Sequence, residues 1–427
     1  MLTRAAILST GDELTSGRTL DTNANFVADR LFGVGLDVVA VLVVGDYPER
    51  LAWAWRAALE QVELVISTGG LGPTADDLTT ETLARLAGRR LILDQAVATR
   101  IRQMFEAMGR SMPKNNLKQA MFPEGATIIP NRLGTAPGFR LELDIGGSRR
   151  HCVVLPGVPR EMKPMLEEAV LPWLEVIRGG PDVYRSHTFQ TFGISESALD
   201  ELVAGAVDPA VGRISFRAAF PQISVRVTVH GPPDAVEARL ADAAARLRAQ
   251  VGAYCYGEGD TAMEGVVGAL LKRNGSTIAV AESCTGGLIG HRLTDVPGSS
   301  AYLLGDVVAY SNAVKVSVLG VRPETLDHRG AVSTEVAAEM AEGVRKLVGA
   351  TLGLATTGIA GPEGGTPEKP VGTVCIALAT AERTFSHRYQ LWGTRDWVKL
   401  LTSQIALDWV RRVQLGEDPT ASVILRK

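Results

Sequence analysis

Between Ala281 and Leu293 the chain reads AESCTGGLIGHRL, directly after the apolar run STIAV. Two candidate nucleophiles, Ser283 and Cys284, therefore stand where a buried strand gives way to the paired glycines Gly286 and Gly287 and then to a helical pattern. Such a strand-to-helix turn can aim one side chain and several unbonded backbone N–H groups at the same small volume, and the positive end of the helix favours an oxyanion there. Amide cleavage needs that combination. Spacing alone leaves three readings open: attack by Ser283, attack by Cys284, or Ser283 as a helix cap.

A hydroxyl nucleophile needs a base. The six histidines, His151, His187, His230, His291, His328 and His387, lack the companions of a Ser/His/Asp triad. Lysine remains. In VVAYSNAVKVSVLGV, Tyr310 and Lys315 flank Asn312 where a strand ends and a helix begins. An ordinary lysine, with a pKa of about 10.4, is protonated at neutral pH, and lowering that value by about 2 to 3 takes about 3 to 4 kcal/mol. Burial beside another cation is expected to supply it.

A second stretch, LVISTGGLGPTADDLTTETLARLAG, reads as a strand, a glycine-rich turn and a helix opening among acids. It is neither G-x-G-x-x-G nor a P-loop. Gly69, Gly70 and Gly72 allow close backbone approach, and the helix beginning near Leu78 offers N–H groups to a phosphate. Asp76, Asp77 and Glu81 place carboxylates beside that anion site, which a bridging divalent cation would reconcile. The alternative for these acids is helix capping and dipole complementarity. Weaker signals come from STGDEL with Asp12 and Glu13, DTNANF with Asn23, PKNNLKQA with Asn115 and Lys118, and the turns GTAPG and LPGVPREM.

The elements that must position these residues alternate. RAAILST, NANFVADRLFGVG, DVVAVLVVGD, ERLAWAWRAALEQV and ELVISTGG give a β-α-β-α-β rhythm, which implies a mostly parallel sheet between helices. Further strands are expected at ATIIP, GFRLELD and HCVVLPG, and a helix over REMKPMLEEAVLPWLEVI closes a first domain at residues 1–177. A small α+β module follows over 178–256, with strands in RSHTFQTFG and QISVRVTVHG. The α/β rhythm then resumes over 257–427. The similar turns TGGLGP and TGIAGP are read as shared turn chemistry.

Composition narrows the class. A chain of 427 residues with 46% hydrophobic and 5% aromatic content fits two or three compact α/β units. A net charge of -3 offers no broad cationic surface, so nucleic acid is not expected among the partners. Four scattered cysteines form no C-x-x-C pair, and no apolar run is long enough to span a bilayer. A cytoplasmic location is the expectation.

AESCTGG, VAYSNAVKVSVLGV, GAVSTEVAAEMAEGV, TTGIAGPEGGTPEKPVGTV and GTRDWVK together resemble the C-terminal domain of the CinA family, whose members include nicotinamide mononucleotide deamidases. The resemblance implies Ser283 as nucleophile, Lys315 as general base and acid, Tyr310 as proton relay or orienter, and Thr357 and Arg395 as further active-site residues. Arg395 would hold the substrate phosphate or organise Tyr310 and Lys315, and Cys284 becomes a small packed residue. Thr285, Gly286, Gly287, Asn312 and Gly358 are implied as substrate contacts, with no cofactor.

The first-domain motifs resemble the CinA N-terminal domain, akin to the three-layer α/β fold of MoaB and MogA. That likeness implies an ADP-ribose pyrophosphatase giving AMP and ribose 5-phosphate, dependent on a divalent ion (Mg, Mn or Co), with K+ as a further candidate. It implies Asp76, Asp77 and Glu81 at the metal, and Glu13, Asn23, Gly69, Gly70, Gly72, Asn115 and Lys118 at the substrate. The middle module looks KH-type but lacks the G-x-x-G loop, so a spacer and dimerisation role in a homodimer is expected. The rival readings are a molybdopterin-binding or cofactor-synthesis protein and a non-enzymatic competence or recombination-linked binding protein.

Overall fold

The computed structural model describes residues 2–179 and 182–421. The chain forms two compact units, Met1–Ser186 with Thr228–Arg239, and His187–Val227 with Leu240–Lys427. The middle segment forms a four-stranded sheet of its own, ordered Gly212–Ala219, Gln222–Gly231, Val183–Phe192 and Cys255–Glu258, and the boundary between the two units runs through its strands Val183–Phe192 and Gln222–Gly231. Phe192 and Tyr256 of that segment are buried in the same cluster as Met263, Val267 and Trp409.

The first unit holds a six-stranded sheet ordered Asp37–Val44, Arg4–Thr10, Leu64–Thr68, Ser148–Leu155, Gly138–Ile145 and Thr127–Ile129. The first four strands are parallel, and the last two run antiparallel. RAAILST and LVIST are buried almost throughout because each face of the sheet is covered. Trp55, Leu59 and Phe139 pack in one cluster, and Val27, Leu31 and Leu166 in another. The closing helix is interrupted by a π turn at Leu166–Val170, between Pro164 and Pro172, each of which lacks an N–H for the helical ladder.

The second unit holds a five-stranded sheet ordered Leu303–Val308, Ile278–Glu282, Leu352–Gly358, Thr373–Ala379 and Thr384–Gln390. The first three strands are parallel and the last two antiparallel. Helices Met263–Arg273, Leu288–Thr294 and Arg395–Gln414 pack on one face, and Thr334–Val348 on the other. Ile278–Glu282 is central and wholly buried. Its carboxyl end, where open parallel sheets present ligand sites, delivers Ser283. Among the described residues no helix is long and apolar enough to cross a membrane.

Candidate active site

The turn after Ile278–Glu282 is fixed from below and from both sides. Ser283 N–H donates to Thr356 O of the neighbouring strand at 3.0 Å, which continues the parallel ladder by one residue. Thr285 and Thr356, both fully buried, share a hydroxyl–hydroxyl bond of 2.8 Å. Gly286 and Gly287 take φ of 63° and 93°, left-handed values that let the chain reverse into Leu288–Thr294. The fully buried Glu282 carboxylate accepts from Gly287 N–H at 3.0 Å and Gly290 N–H at 2.8 Å. With the N–H groups of Ser283 and Gly287 so occupied, those of Cys284, Thr285 and Gly286 are left as oxyanion donors.

Lys315 comes from the helix Asn312–Ser317, whose first turn is capped by the Ser311 hydroxyl. Its side chain runs inward and is 1% exposed. Nζ lies 3.0 Å from Ser283 Oγ, 2.8 Å from Ala309 O and 3.4 Å from Tyr310 O. Burial lowers its pKa from 10.5. The second cation expected from the sequence is not among the causes; desolvation acts without it. As a neutral amine, Lys315 has two N–H donors for the two carbonyls, and its lone pair is left to accept the Ser283 hydroxyl proton.

The other predicted residues divide. The Tyr310 hydroxyl accepts from Arg395 Nη2 at 2.9 Å, and Arg395 Nη1 donates to Gly361 O at 2.8 Å. Tyr310 thus touches Lys315 through its carbonyl oxygen, and its hydroxyl, on a ring 63% exposed, forms no relay to Ser283. The Thr357 hydroxyl is spent on Ala331 O. Gly358 is required by packing, because a Cβ there would meet Val374 Cγ2 at 2.8 Å and Cys284 Sγ at 3.1 Å. Cys284 is correspondingly buried, and burial pushes its thiol up to about 12. Asn312 is exposed at the helix start.

Three groups beside Ser283 escape a reading of the sequence alone. Glu282 ends an apolar run and looks like an exposed strand terminus. Asp306 packs against Gly290, whose missing Cβ leaves room for its carboxyl. Lys399 brings Nζ within 3.9 Å of where a Gly286 Cβ would lie. The i, i+4 spacing of Arg395 and Lys399 in GTRDWVK was the available signal for the last.

In the first unit, Leu64–Thr68 leads into Gly69 and Gly70, at φ of 101° and 67°, beside a cleft of about 590 Å³. Glu13, Gly69, Gly70, Gly72, Asp76 and Asp77 line it. A Cβ on Gly69 would meet Thr10 O at 2.5 Å, and one on Gly70 would strike the Thr79 hydroxyl. Asp77 accepts from Thr74 N–H at 2.8 Å and from its hydroxyl at 2.5 Å, so it caps the turn. Asp76 also accepts from the Thr74 hydroxyl, which holds its carboxyl below the usual range. Glu81 turns to Lys118, at 3.4 Å, and Lys118 also donates to Thr74 O at 3.2 Å.

The expected ligand set of Asp76, Asp77 and Glu81 therefore does not converge, and among the described residues no three His, Cys, Asp or Glu side chains are arranged to hold a metal ion. Asp46 also lines the cleft. Its burial, together with Asp12, Glu13 and Asp76, raises its pKa. Asn115 is exposed; its neighbour Asn116 instead bonds Gln119, which donates to Leu71 O and lines the cleft. Asn23 donates to Gly157 O at 2.7 Å. Glu161 at the cleft wall holds Asn131 at 2.8 Å.

Residues 260–414 match the family model described as CinA C-terminal domain, residues 186–257 the damage-inducible protein CinA KH domain, and residues 6–176 the "Probable molybdopterin binding domain". A CinA-like protein of Desulfosudis oleivorans is 45% identical over 413 residues, covering 96% of this chain and 99% of the relative. A CinA-like protein of Geotalea uraniireducens is 42% identical over 411 residues, covering 96% and 97%. The solved competence/damage inducible protein CihA of Agrobacterium tumefaciens is 37% identical, with 36% of this chain and 94% of that one covered at a TM-score of 0.35. With identity above 40% along nearly its whole length, and all three domain models in order, the chain belongs to the CinA family.

Proposed function

We propose that Ser283 and Lys315 are the catalytic pair of an amidohydrolase that converts nicotinamide mononucleotide to nicotinate mononucleotide and ammonia. The observation that carries this reading is the 3.0 Å contact between Lys315 Nζ and Ser283 Oγ, made by a lysine whose burial disfavours its charged form. The substrate is taken from the likeness of the third-domain motifs to the family's deamidases.

In the first step Ser283 Oγ bonds to the carboxamide carbon while its proton passes to Lys315 Nζ. The resulting oxyanion is held by the N–H groups between Ser283 and Gly287, an effect of about 10² to 10³ in rate per donor. The Lys315 ammonium then returns its proton to the departing nitrogen, and ammonia leaves. Water, deprotonated by the same amine, opens the Ser283 ester to release the carboxylate and restore the hydroxyl. The pyridinium charge of the substrate withdraws electrons from the amide carbon and opposes a cationic Lys315. Ammonia release from nicotinamide mononucleotide by the intact chain, lost in Ser283→Ala, tests the proposal; a Ser283→Ala variant that still releases ammonia overturns it.

We further propose that the cleft at Gly69–Gly72 binds the pyrophosphate of ADP-ribose for hydrolysis to AMP and ribose 5-phosphate. The left-handed glycines beside an open cleft favour it. AMP release from ADP-ribose, measured with and without divalent ions, is the check; co-purified pterin with no AMP release would replace this reading with a pterin-binding one.

A further inference from the structure

We infer that Glu282 is a positioning residue for the nucleophile turn, and that its grip depends on a proton held between its carboxyl group and that of Asp306. This rests on the amidohydrolase reading above and concerns how the turn is kept in shape. Glu282 immediately precedes Ser283, is 0% exposed, and closes a loop by accepting from Gly287 N–H at 3.0 Å and Gly290 N–H at 2.8 Å. The backbone between those anchor points contains every remaining oxyanion donor. A carboxylate is the one side-chain group of this size that accepts from two separate N–H groups with two equivalent oxygens. Glutamine would present one acceptor and one donor to the same two N–H groups.

The second observation is the partner. Asp306 lies on the adjacent parallel strand, where Val280 pairs with Asp306 and Glu282 with Val308, so the two carboxyl groups share one face of the sheet. Gly290 leaves the space its carboxyl fills. The two carboxyl groups meet at Gly290, whose N–H donates to Glu282 at 2.8 Å and whose missing Cβ leaves the space that the Asp306 carboxyl enters, and two acids this close favour a proton shared between them. Burial and the Glu282 charge push Asp306 up to about 7. Below that pH the pair carries one charge, which the two N–H groups complement. Above it two charges meet, and the one free to move is Asp306, an exposed residue of the edge strand of which only the carboxyl end is tucked in against Gly290.

Among the described residues no cation contributes to the shift of Asp306. The charged and titratable groups around the turn are Cys284 within it, His291 and Arg292 on the following helix, Lys315 under Ser283 and Lys399 beside Gly286. Arg292 is bonded to Glu264 and Gln404, His291 lies 3.7 Å from Asp295, and Lys315 is bonded to Ser283 and two carbonyls. The adjoining strand Leu352–Gly358 supplies only threonines at this level.

The experiment compares ammonia release by the full chain across pH 6 to 9.5 for the unsubstituted protein, Glu282→Gln, Asp306→Asn and Ser283→Ala, with thermal melting of each at every pH. Glu282→Gln is expected to lower kcat by about 10²-fold with little change in KM, because displacing the donors by about 1 Å suffices. Asp306→Asn, which always donates to Glu282, is expected to stay active and to lose the fall in kcat on the alkaline side. The rising limb set by Lys315 is common to both. Glu282→Gln at unchanged kcat, or Asp306→Asn with the unsubstituted pH profile, overturns the inference while an inactive Ser283→Ala leaves the deamidase reading intact. Should Glu282→Gln fail to fold, the Asp306→Asn profile decides.

Discussion

Replacing Lys315 by arginine separates the base from a mere positive charge. Lys315 Nζ sits 3.0 Å from Ser283 Oγ with two carbonyls beside it, and its burial lowers its pKa. Arginine stays protonated at every accessible pH and has no lone pair to offer. General-base assistance is worth about 10² to 10⁴ in rate, or about 3 to 5 kcal/mol of barrier. Lys315→Arg is therefore expected to lose at least about 10² in kcat, and Lys315→Met as much. Coupled ammonia release gives the rates, and melting curves show that the fold survives. Stability supplies an independent readout with a fixed sign. The unfolded lysine holds its proton up to 10.5 while the folded one releases it earlier, so the unfolded state binds more protons in between and stability rises with pH across that window. Lys315→Met should flatten that rise. Activity within tenfold of the original in Lys315→Arg would refute base catalysis, since charge alone would then suffice.

Cys284→Ala should retain activity within a few-fold and cost about 1 kcal/mol of stability from the small cavity left, as rate and melting measurements will show; the buried thiol, pushed up to about 12, should resist alkylation in the native protein. Lys399→Ala should raise KM for nicotinamide mononucleotide by about 10- to 100-fold and leave KM for the nucleoside without phosphate unchanged, because the ammonium beside Gly286 faces the turn without an ion pair among the described residues. Gly70→Ala should abolish AMP release from ADP-ribose and leave deamidation untouched. Its φ of 67° and the Thr79 hydroxyl in the way make the change cost about 1 to 3 kcal/mol locally.

What the sequence made legible was local. STIAV followed by AESCTGG reads as a buried strand meeting a glycine turn because period, burial and left-handed glycines are written within twelve residues. Ser283 and Lys315 are 32 residues apart, and their contact was reached through family likeness rather than spacing. Contacts set by tertiary packing were not legible. Glu81 sits beside Asp76 and Asp77 in sequence yet turns to Lys118, 37 positions on. Asn116 points inward where Asn115 does not, a distinction decided by one residue of phase in a tight 3-10 helix. The helix Gln95–Ala107 was legible in principle, since Asp94 caps it and Val97, Ala98, Ile101 and Phe105 share one face. The strand Gly212–Ala219, interrupted by Arg213 and Arg217 and with no fully buried residue, gives only a faint signal.

The two fully buried ionisable side chains at the turn do not pair with each other, and the chemistry explains why. Glu282 and Lys315 both reach the vicinity of Ser283, one next to it in sequence and one by contact. Opposite unit charges about 4 Å apart near a protein surface attract by about 4 kcal/mol, enough to hold the amine in its protonated form roughly a thousandfold more firmly. A Lys315 so held could not take the Ser283 proton at neutral pH. No carboxylate contributes to the shift of Lys315, whose acceptors are two carbonyls and a hydroxyl. Glu282 directs both oxygens the other way, to Gly287 and Gly290, with Asp306 against it. The site thus keeps an acid that shapes the turn apart from an amine that moves the proton, and a carboxylate introduced at Ala309, whose carbonyl already accepts from Lys315, should slow deamidation at pH 7 and shift the rising limb of kcat to higher pH.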